Sequence, residues 1–273
     1  MIPFDFITEW RDRAPWTQDA QVEQDLIITR ALVEMFNQKF LAQSLAFRGG
    51  TALYKLYLIP PARYSEDIDL VQVKAEPIGP TIDAIRSVLD PWLGAPKRTL
   101  KEGRVSITYR MTSEGASAVP MRLKVEIDSR EHFSVFGLEH REITIDTRWF
   151  KGKAPVLTYA LDELLGTKFR ALYQRKKGSD LFDLWMASRL ANIDSSRIVD
   201  CFLRYMEHGE NQISRAMMEK NLHSKFANPD FLTDIEPLLA PGIEWNPESA
   251  ANYVLNEFVS QLPGKPWKGL PTE

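Results

Sequence analysis

Asp67 and Asp69 are separated by a single residue, and the run Ile68-Asp69-Leu70-Val71-Gln72-Val73 around them reads as a strand. Alternate side chains of a strand leave the same face, so the two carboxylates project together with about 6 to 7 Å between their Cα atoms. Two carboxylates at that spacing can share hard cations such as Mg²⁺, which take oxygen ligands and leave positions for substrate phosphate oxygens. An Asp-x-Asp pair also occurs on solvated strand ends, so its neighbours decide its meaning. Upstream, Gly49-Gly50-Thr51 forms a turn in front of a short helix. Glycines there let backbone approach a ligand, and the amides that open a helix bind phosphate. A third carboxylate comes from Met121 to Asp128, where Met121, Leu123, Val125 and Ile127 take one face and Arg122, Lys124, Glu126 and Asp128 the other. Glu126 is centred on that polar face, although any half-exposed antiparallel strand alternates in this way.

The elements that must position these groups follow from periodicity. Ile28, Leu32, Met35, Phe36 and Phe40 place one apolar stripe on a long helix near 21 to 45, which Arg48-Gly49-Gly50-Thr51 stops. Leu53, Leu56 and Tyr57 predict the short helix, broken by Pro60-Pro61 before the Asp67–Asp69 strand. Ile82, Ile85, Leu89 and Trp92 predict another helix; Val105, Ile107 and Tyr109 alternate as a strand, with a Ser/Gly-rich turn near 113 to 117 before the next. Ile143 and Ile145 point to one more strand. From Thr158 onward helical stripes take over, first Leu161, Leu164, Leu165, Phe169 and Leu172, then Leu181, Leu184, Trp185 and Leu190.

This order predicts an α+β fold: a mixed-sheet domain over 1–152, a mainly helical domain over 153–262 and a loose tail over 263–273. The boundary falls in Lys151-Gly152-Lys153-Ala154-Pro155, where glycine, proline and charge interrupt both periodicities. A chain of 273 residues with 44% hydrophobic side chains has ample material for a core. No stretch approaches the roughly 20 apolar residues of a membrane span, and no leader pattern opens the chain, so a cytoplasmic protein is expected. One cysteine, Cys201, and four histidines exclude an internal disulfide and disfavour a Cys/His zinc centre. Any bound metal falls to carboxylates. A net charge of −3 excludes a globally basic nucleic-acid binder but leaves room for a local basic surface beside an acidic site.

Four segments together resemble the AbiEii/AbiGii toxin family of nucleotidyltransferases, to which the MenT toxins belong. They are Phe47-Arg48-Gly49-Gly50-Thr51-Ala52-Leu53, Arg63-Tyr64-Ser65-Glu66-Asp67-Ile68-Asp69-Leu70, Lys124-Val125-Glu126-Ile127, and Lys168-Phe169-Arg170-Ala171-Leu172-Tyr173-Gln174-Arg175 leading to Asp180-Leu181-Phe182-Asp183-Leu184. Their order agrees over roughly residues 45 to 190, and the first two are the specific ones. The resemblance implies a polymerase-β-like nucleotidyltransferase domain followed by a helical domain, a nucleoside triphosphate (NTP) donor, Mg²⁺ or Mn²⁺, and a cognate antitoxin protein. It implies that Gly49, Gly50, Thr51 and Ser65 cradle the triphosphate, that Asp67, Asp69 and Glu126 hold metal, that Lys168 pairs with nucleotide phosphates, and that Asp180 and Asp183 serve catalysis and nucleotide binding. Two departures stand out: Thr51 replaces the serine common in the superfamily, and Ser179-Asp180 stands where many relatives have Arg-Asp.

Each of these residues also has a structural reading. Lys168 sits at the margin of an apolar stripe, as most helical lysines do, and Asp180 suits the first turn of a helix with Ser179 as its N-cap. RNA is the acceptor that the resemblance implies, through the 3′ end of tRNA, and Arg170, Arg175, Lys176 and Lys177 form a basic cluster after Lys168 that suits a phosphate backbone. A protein or small-molecule acceptor, a kinase-like phosphotransferase and a non-catalytic scaffold are the alternatives; the last is disfavoured by the intact Asp67, Asp69 and Glu126 set.

Overall fold

The computed structural model describes residues 2–114 and 118–269. Along the chain run α1 (Phe4–Trp10), α2 (Asp19–Asn37), α3 (Lys39–Ser44), β1 (Leu45–Arg48), α4 (Gly49–Leu56), β2 (Asp67–Gln72), α5 (Gly79–Leu93), β3 (Lys97–Lys101), β4 (Arg104–Thr112), β5 (Pro120–Asp128), β6 (Leu138–Asp146) and β7 (Lys151–Tyr159). Helices follow: α6 (Leu161–Gln174), α7 (Gly178–Leu190), α8 (Ser195–His208), α9 (Arg215–Phe226), α10 (Pro229–Thr233) and α11 (Pro247–Glu257). The chain divides into two compact units, Met1–Tyr159 with Ala240–Gly242, and Ala160–Leu239 with Ile243–Glu273. Among the described residues no helix is long and apolar enough to cross a membrane.

In the first unit the strands form one sheet in the order β3-β4-β5-β2-β1-β7-β6. It is mixed: β2 pairs parallel with β5 and β1 parallel with β7, while the other neighbours run antiparallel. The period-2 pattern of β4 and β5 puts Val105, Ile107, Tyr109, Leu123, Val125 and Ile127 into the core and leaves Ser106, Lys124 and Glu126 partly exposed on the other face. Helix α2 is buried along most of its length, with Val22, Leu26, Ile28, Leu32 and Met35 all at 1% exposure or less.

Three strands escape the sequence pattern. The single helix expected near 21 to 45 breaks at Gln38, which adopts an extended conformation and accepts the Leu41 N–H with its side chain (2.7 Å). Leu45–Arg48 then enters the sheet; its consecutive buried residues Leu45, Ala46 and Phe47 show no alternation. Strand β3 is exposed at every position, so no apolar face marks it. Strand β7 runs through the stretch expected to be a domain boundary, and the two units part between Tyr159 and Ala160 instead. Pro155 is tolerated because β7 meets β1 only at the Phe47–Thr158 pair, leaving the earlier residues paired on β6 alone. The turn expected near 113 to 117 is described in part: the Ser113 N–H donates to the Val119 carbonyl (2.9 Å), and residues 115–117 lie outside the described residues. The tail expected over 263–273 is anchored at its start. The Pro263 carbonyl accepts the Arg215 N–H (2.8 Å), and the Trp267 N–H donates to Glu219 (2.5 Å). Residues 270–273 lie outside the described residues.

In the helical unit α6 and α8 approach closely through Gly166, where an added Cβ would stand 2.6 Å from Cys201 Sγ and 2.8 Å from its Cβ. Gly166→Ala overpacks this contact and is expected to lower stability by about 1–3 kcal/mol despite alanine's better helix propensity. Thermal melting of Gly166→Ala and of Gly166→Ala/Cys201→Ala checks it: the second variant should recover part of the loss, and an unaltered melt for the first would contradict the close packing.

Candidate active site

Strand β1 ends at Arg48, and the chain turns into α4 through Gly49, whose φ of 84° lies in the left-handed region. A Cβ at Gly49 would stand 2.2 Å from Asp69 Oδ2, and one at Gly50 would stand 2.5 Å from Arg63 Nη2 and 3.1 Å from Ser65 Oγ. The glycine pair therefore presses backbone directly onto Asp69 and Ser65. Thr51 Oγ1 donates to the Asp67 carbonyl (2.6 Å) and lies 2.8 Å from Ser65 Oγ, so the extra methyl of threonine keeps the hydroxyl contact. Four of the residues singled out by motif, Gly50, Thr51, Ser65 and Asp67, thus meet at the start of β2, the central strand of the sheet. Thr51 and Ser65 also line a cavity of about 390 Å³ walled by Trp10, Trp16 and Tyr54. Lys55 in its wall is held by Asp25 (2.6 Å) and Thr29 (2.9 Å), and Asp12, Arg13, Arg63 and Glu142 also line it, so the cavity combines aromatic surface with charged groups.

Register brings the third carboxylate alongside. In the parallel β2–β5 pair Asp69 stands opposite Glu126, and Asp67 stands opposite Lys124. Lys124 Nζ is 2.9 Å from Glu126 Oε1 and 3.8 Å from Asp67 Oδ2, and Ser106 Oγ donates to Glu126 Oε1 (3.0 Å). Burial pushes the Asp67 carboxyl up to about 6; the Lys124 charge opposes this, and Asp69, Glu66 and Glu126 add to it. Burial acts the same way on Glu126, but the hydrogen bonds from Lys124 and Ser106 outweigh it and hold Glu126 below its ordinary value. Lys124 is itself lifted, since the Glu126 bond and the Asp67 charge overcome its desolvation. Lys124 heads one of the motif segments but was assigned no role there, and the structure places its ammonium between Asp67 and Glu126. Its position two residues before Glu126, on the same face, was the available signal.

The donor set suits a hard divalent cation. It consists of oxygens, and Asp67 Oδ1 is buried without a hydrogen-bond partner, an acceptor left for a ligand. Among the described residues no three acidic, histidine or cysteine side chains converge as a ready metal cluster. The Lys124 ammonium instead satisfies Glu126.

The helical unit holds the other motif. Lys168 is 6% exposed and lies 2.8 Å from Asp183 and 3.3 Å from Asp180, both fully buried. Arg175 grips Asp180 with two bonds of 2.7 and 2.8 Å. An arginine thus stands beside Asp180 although Ser179 replaces the one expected in sequence; it comes from the end of α6. Ser179 is not the N-cap. Lys177 occupies that position without a side-chain cap, and the Asp234 carboxylate accepts the Gly178 N–H (3.1 and 3.2 Å). Of the basic cluster, Arg170 stacks over the Tyr205 ring at 4.7 Å and Arg175 is ion-paired, while Lys176 and Lys177 remain exposed.

Two outcomes follow. Asp67 has a folded-state pKa of about 6 against an ordinary 3.8, so the folded protein holds this proton more tightly and loses stability as pH rises through that window. Metal-free Asp67→Asn should therefore melt higher than the parent at pH 7 and alike at pH 4; equal melting at both would refute the burial cost. Lys168→Met leaves two buried carboxylates with only Arg175 among these partners and should destabilise the helical unit by about 3–5 kcal/mol, measured by denaturant unfolding. A loss below about 1 kcal/mol would show that the network does not hold α6 to α7.

The model of the AbiEii nucleotidyl transferase toxin family, from type IV toxin–antitoxin systems, matches residues 30–252. Among solved structures the MenT4 nucleotidyltransferase toxin of Mycobacterium tuberculosis aligns with a TM-score of 0.60 at 15% identity, covering 96% of this chain and 91% of that one. A candidate nucleotidyltransferase from H. pylori aligns at 0.49 and 16% identity, covering 85% and 91%. No curated protein sequence matches the chain. The first likeness shows a shared fold, and the family match extends over both the glycine turn with its carboxylates and the buried lysine network: the chain belongs to the AbiEii family of nucleotidyltransferase toxins.

Proposed function

We propose that this toxin transfers a nucleoside monophosphate from an NTP to the 3′ hydroxyl of an RNA, the 3′ end of tRNA, releasing pyrophosphate, and that a cognate antitoxin protein restrains it. The observation that carries the reading is the contact of the Gly49-Gly50 turn with Asp69 on a strand whose register sets Glu126 beside it. Phosphoryl chemistry of this kind depends on positioning and charge. The amides that open α4 and the hydroxyls of Thr51 and Ser65 bind the triphosphate, and the absence of Cβ atoms at Gly49 and Gly50 lets it approach the carboxylates. A divalent cation, Mg²⁺ or Mn²⁺, held by Asp67, Asp69 and Glu126, would supply the positive charge that the reacting oxygens need. Glu126, kept ionised by Lys124 and Ser106, faces the acceptor hydroxyl. That oxygen bonds to the α-phosphorus in line as the bond to pyrophosphate breaks, and the hydroxyl proton leaves to solvent or a nearby carboxylate. The aromatic-walled cavity beside Thr51 gives the base a place to lie. Roles for Lys168, Asp180 and Asp183 are narrower: a nucleotide phosphate that reaches Lys168 has to displace one of two carboxylates.

Purified protein incubated with Mg²⁺, each radiolabelled NTP in turn and total RNA should label RNA and release pyrophosphate. Asp69→Asn, which preserves volume and deletes a ligand charge, should lower transfer by several orders of magnitude while melting as a folded protein. Near-normal transfer by that variant would end the assignment. Label in a protein or small molecule would change the acceptor, and release of a nucleoside diphosphate would indicate a kinase.

A further inference from the structure

The face of the sheet that carries the carboxylates continues, in register, onto β5, β4 and the edge strand β3. Asp67 stands opposite Lys124, Lys124 opposite Thr108, and Thr108 opposite Lys97. One row along, Asp69, Glu126, Ser106 and Thr99 are aligned in the same way. Residues directly opposite in a ladder share a face, so Lys97, Lys101, Arg104, Arg110, Arg122 and Lys124 all lie on the side of Asp67, Asp69 and Glu126. Three strand steps of about 4.8 Å make this a surface about 14 Å across.

Its charge arrangement is unfavourable for the protein alone. Lys101 is directly opposite Arg104, and Arg110 directly opposite Arg122, and like charges in opposed positions destabilise a sheet. All four are exposed. Arg122 reaches Glu66 at 3.5 Å, with both side chains well solvated; Lys97, Lys101, Arg104 and Arg110 have no ion pair among the described residues. The remaining carboxylate on the face, Asp128, is occupied by Arg48 and by the N–H groups of Arg130 and Glu131. Lysines on an edge strand can serve only to block pairing with another chain. That purpose explains Lys97 and Lys101, while on the interior strands β4 and β5 Arg104 faces Asp128 and Arg122 reaches Glu66, which leaves Arg110 with no opposite charge beside it.

We propose that this open face of β3, β4 and β5 is the surface that binds the sugar-phosphate backbone of the acceptor RNA and leads its 3′ end to Asp67, Asp69 and Glu126. The inference rests on the RNA-acceptor reading above and locates the acceptor on the sheet in place of the Arg170, Arg175, Lys176 and Lys177 cluster, half of which is engaged elsewhere. No aromatic side chain of β3, β4 or β5 points to this face, since Tyr109 is buried on the other. Binding is therefore by phosphate contacts, tolerant of sequence and steeply dependent on salt.

The test compares the full chain with Lys97→Glu/Lys101→Glu/Arg110→Glu, the neutral Lys97→Gln/Lys101→Gln/Arg110→Gln, and Lys176→Glu/Lys177→Glu as the competing cluster. Anisotropy of a fluorescein-labelled single-stranded RNA gives affinity across a salt series, a fluorescent NTP analogue reports donor binding, and melting confirms folding. Charge reversal on the sheet should weaken RNA binding at least about tenfold and reduce the salt slope by about 2, at about 0.7 per lost phosphate contact. The neutral variant should fall between, the Lys176/Lys177 variant should bind as the parent, and donor binding should hold throughout. RNA binding and labelling by the sheet variants equal to the parent at every salt concentration would overturn the surface while leaving RNA as acceptor. A parent that binds no RNA and labels a protein would overturn the acceptor reading and this surface with it.

Discussion

Three carboxylates on one face of two adjacent strands repel one another, and placing them there costs the folded protein stability that the surrounding structure has to offset. Asp67 shows the cost in its pKa of about 6, driven first by burial and then by Asp69, Glu66 and Glu126. Lys124 supplies the compensation, standing 2.9 Å from Glu126 and 3.8 Å from Asp67. Its ammonium supplies positive charge where the carboxylates of β2 and β5 face one another. The main-chain geometry makes the same concession to function: a left-handed glycine at 49 is required because any Cβ would collide with the Asp69 carboxylate.

The helical unit handles buried charge differently. Lys168, Arg175, Asp180 and Asp183 form a neutral set in which both acids are fully buried and each has a cation within 3.3 Å. Such a set contributes little net stability against an apolar equivalent, but it is costly to break and so fixes the pairing of α6 with α7. The Asp234 carboxylate at the Gly178 N–H adds a further constraint at the start of α7. The Lys168–Asp183 segment is therefore legible as architecture.

The same sheet face that concentrates acid on β2 and β5 concentrates base toward β3. Opposite charge accounts for Lys124 and Arg122, and Arg104 faces Asp128 and acts on Glu126, while Arg110, Lys97 and Lys101 have no ion pair among the described residues. A net charge of −3 conceals this separation entirely. Field and specificity arise from where charges lie on a face, and a total over the chain averages that away.

Local pattern determined much of this protein. The Asp-x-Asp spacing fixed two carboxylates on one face, alternation over 121 to 128 fixed Glu126 and Lys124 on the polar side of β5, the glycine pair fixed the turn, and the stripes through Leu164 and Leu184 fixed the later helices. These rest on periods of 2 and 3.6 residues that a single segment carries within itself. Tertiary structure decided what stands beside what. Register set Glu126 next to Asp69 and Lys124 next to Asp67, and extended the face to Lys97 through β4. The sheet also recruited β1, whose Leu45, Ala46 and Phe47 are buried in succession, β3, which is exposed throughout, and β7, whose alternation at Ala154, Val156 and Thr158 is short and masked by Gly152 and Pro155. Packing converted Lys168 from a lysine at the edge of a stripe into the partner of two buried acids. Pairing between segments distant in sequence depends on the summed fit of both partners, and no single segment encodes that sum.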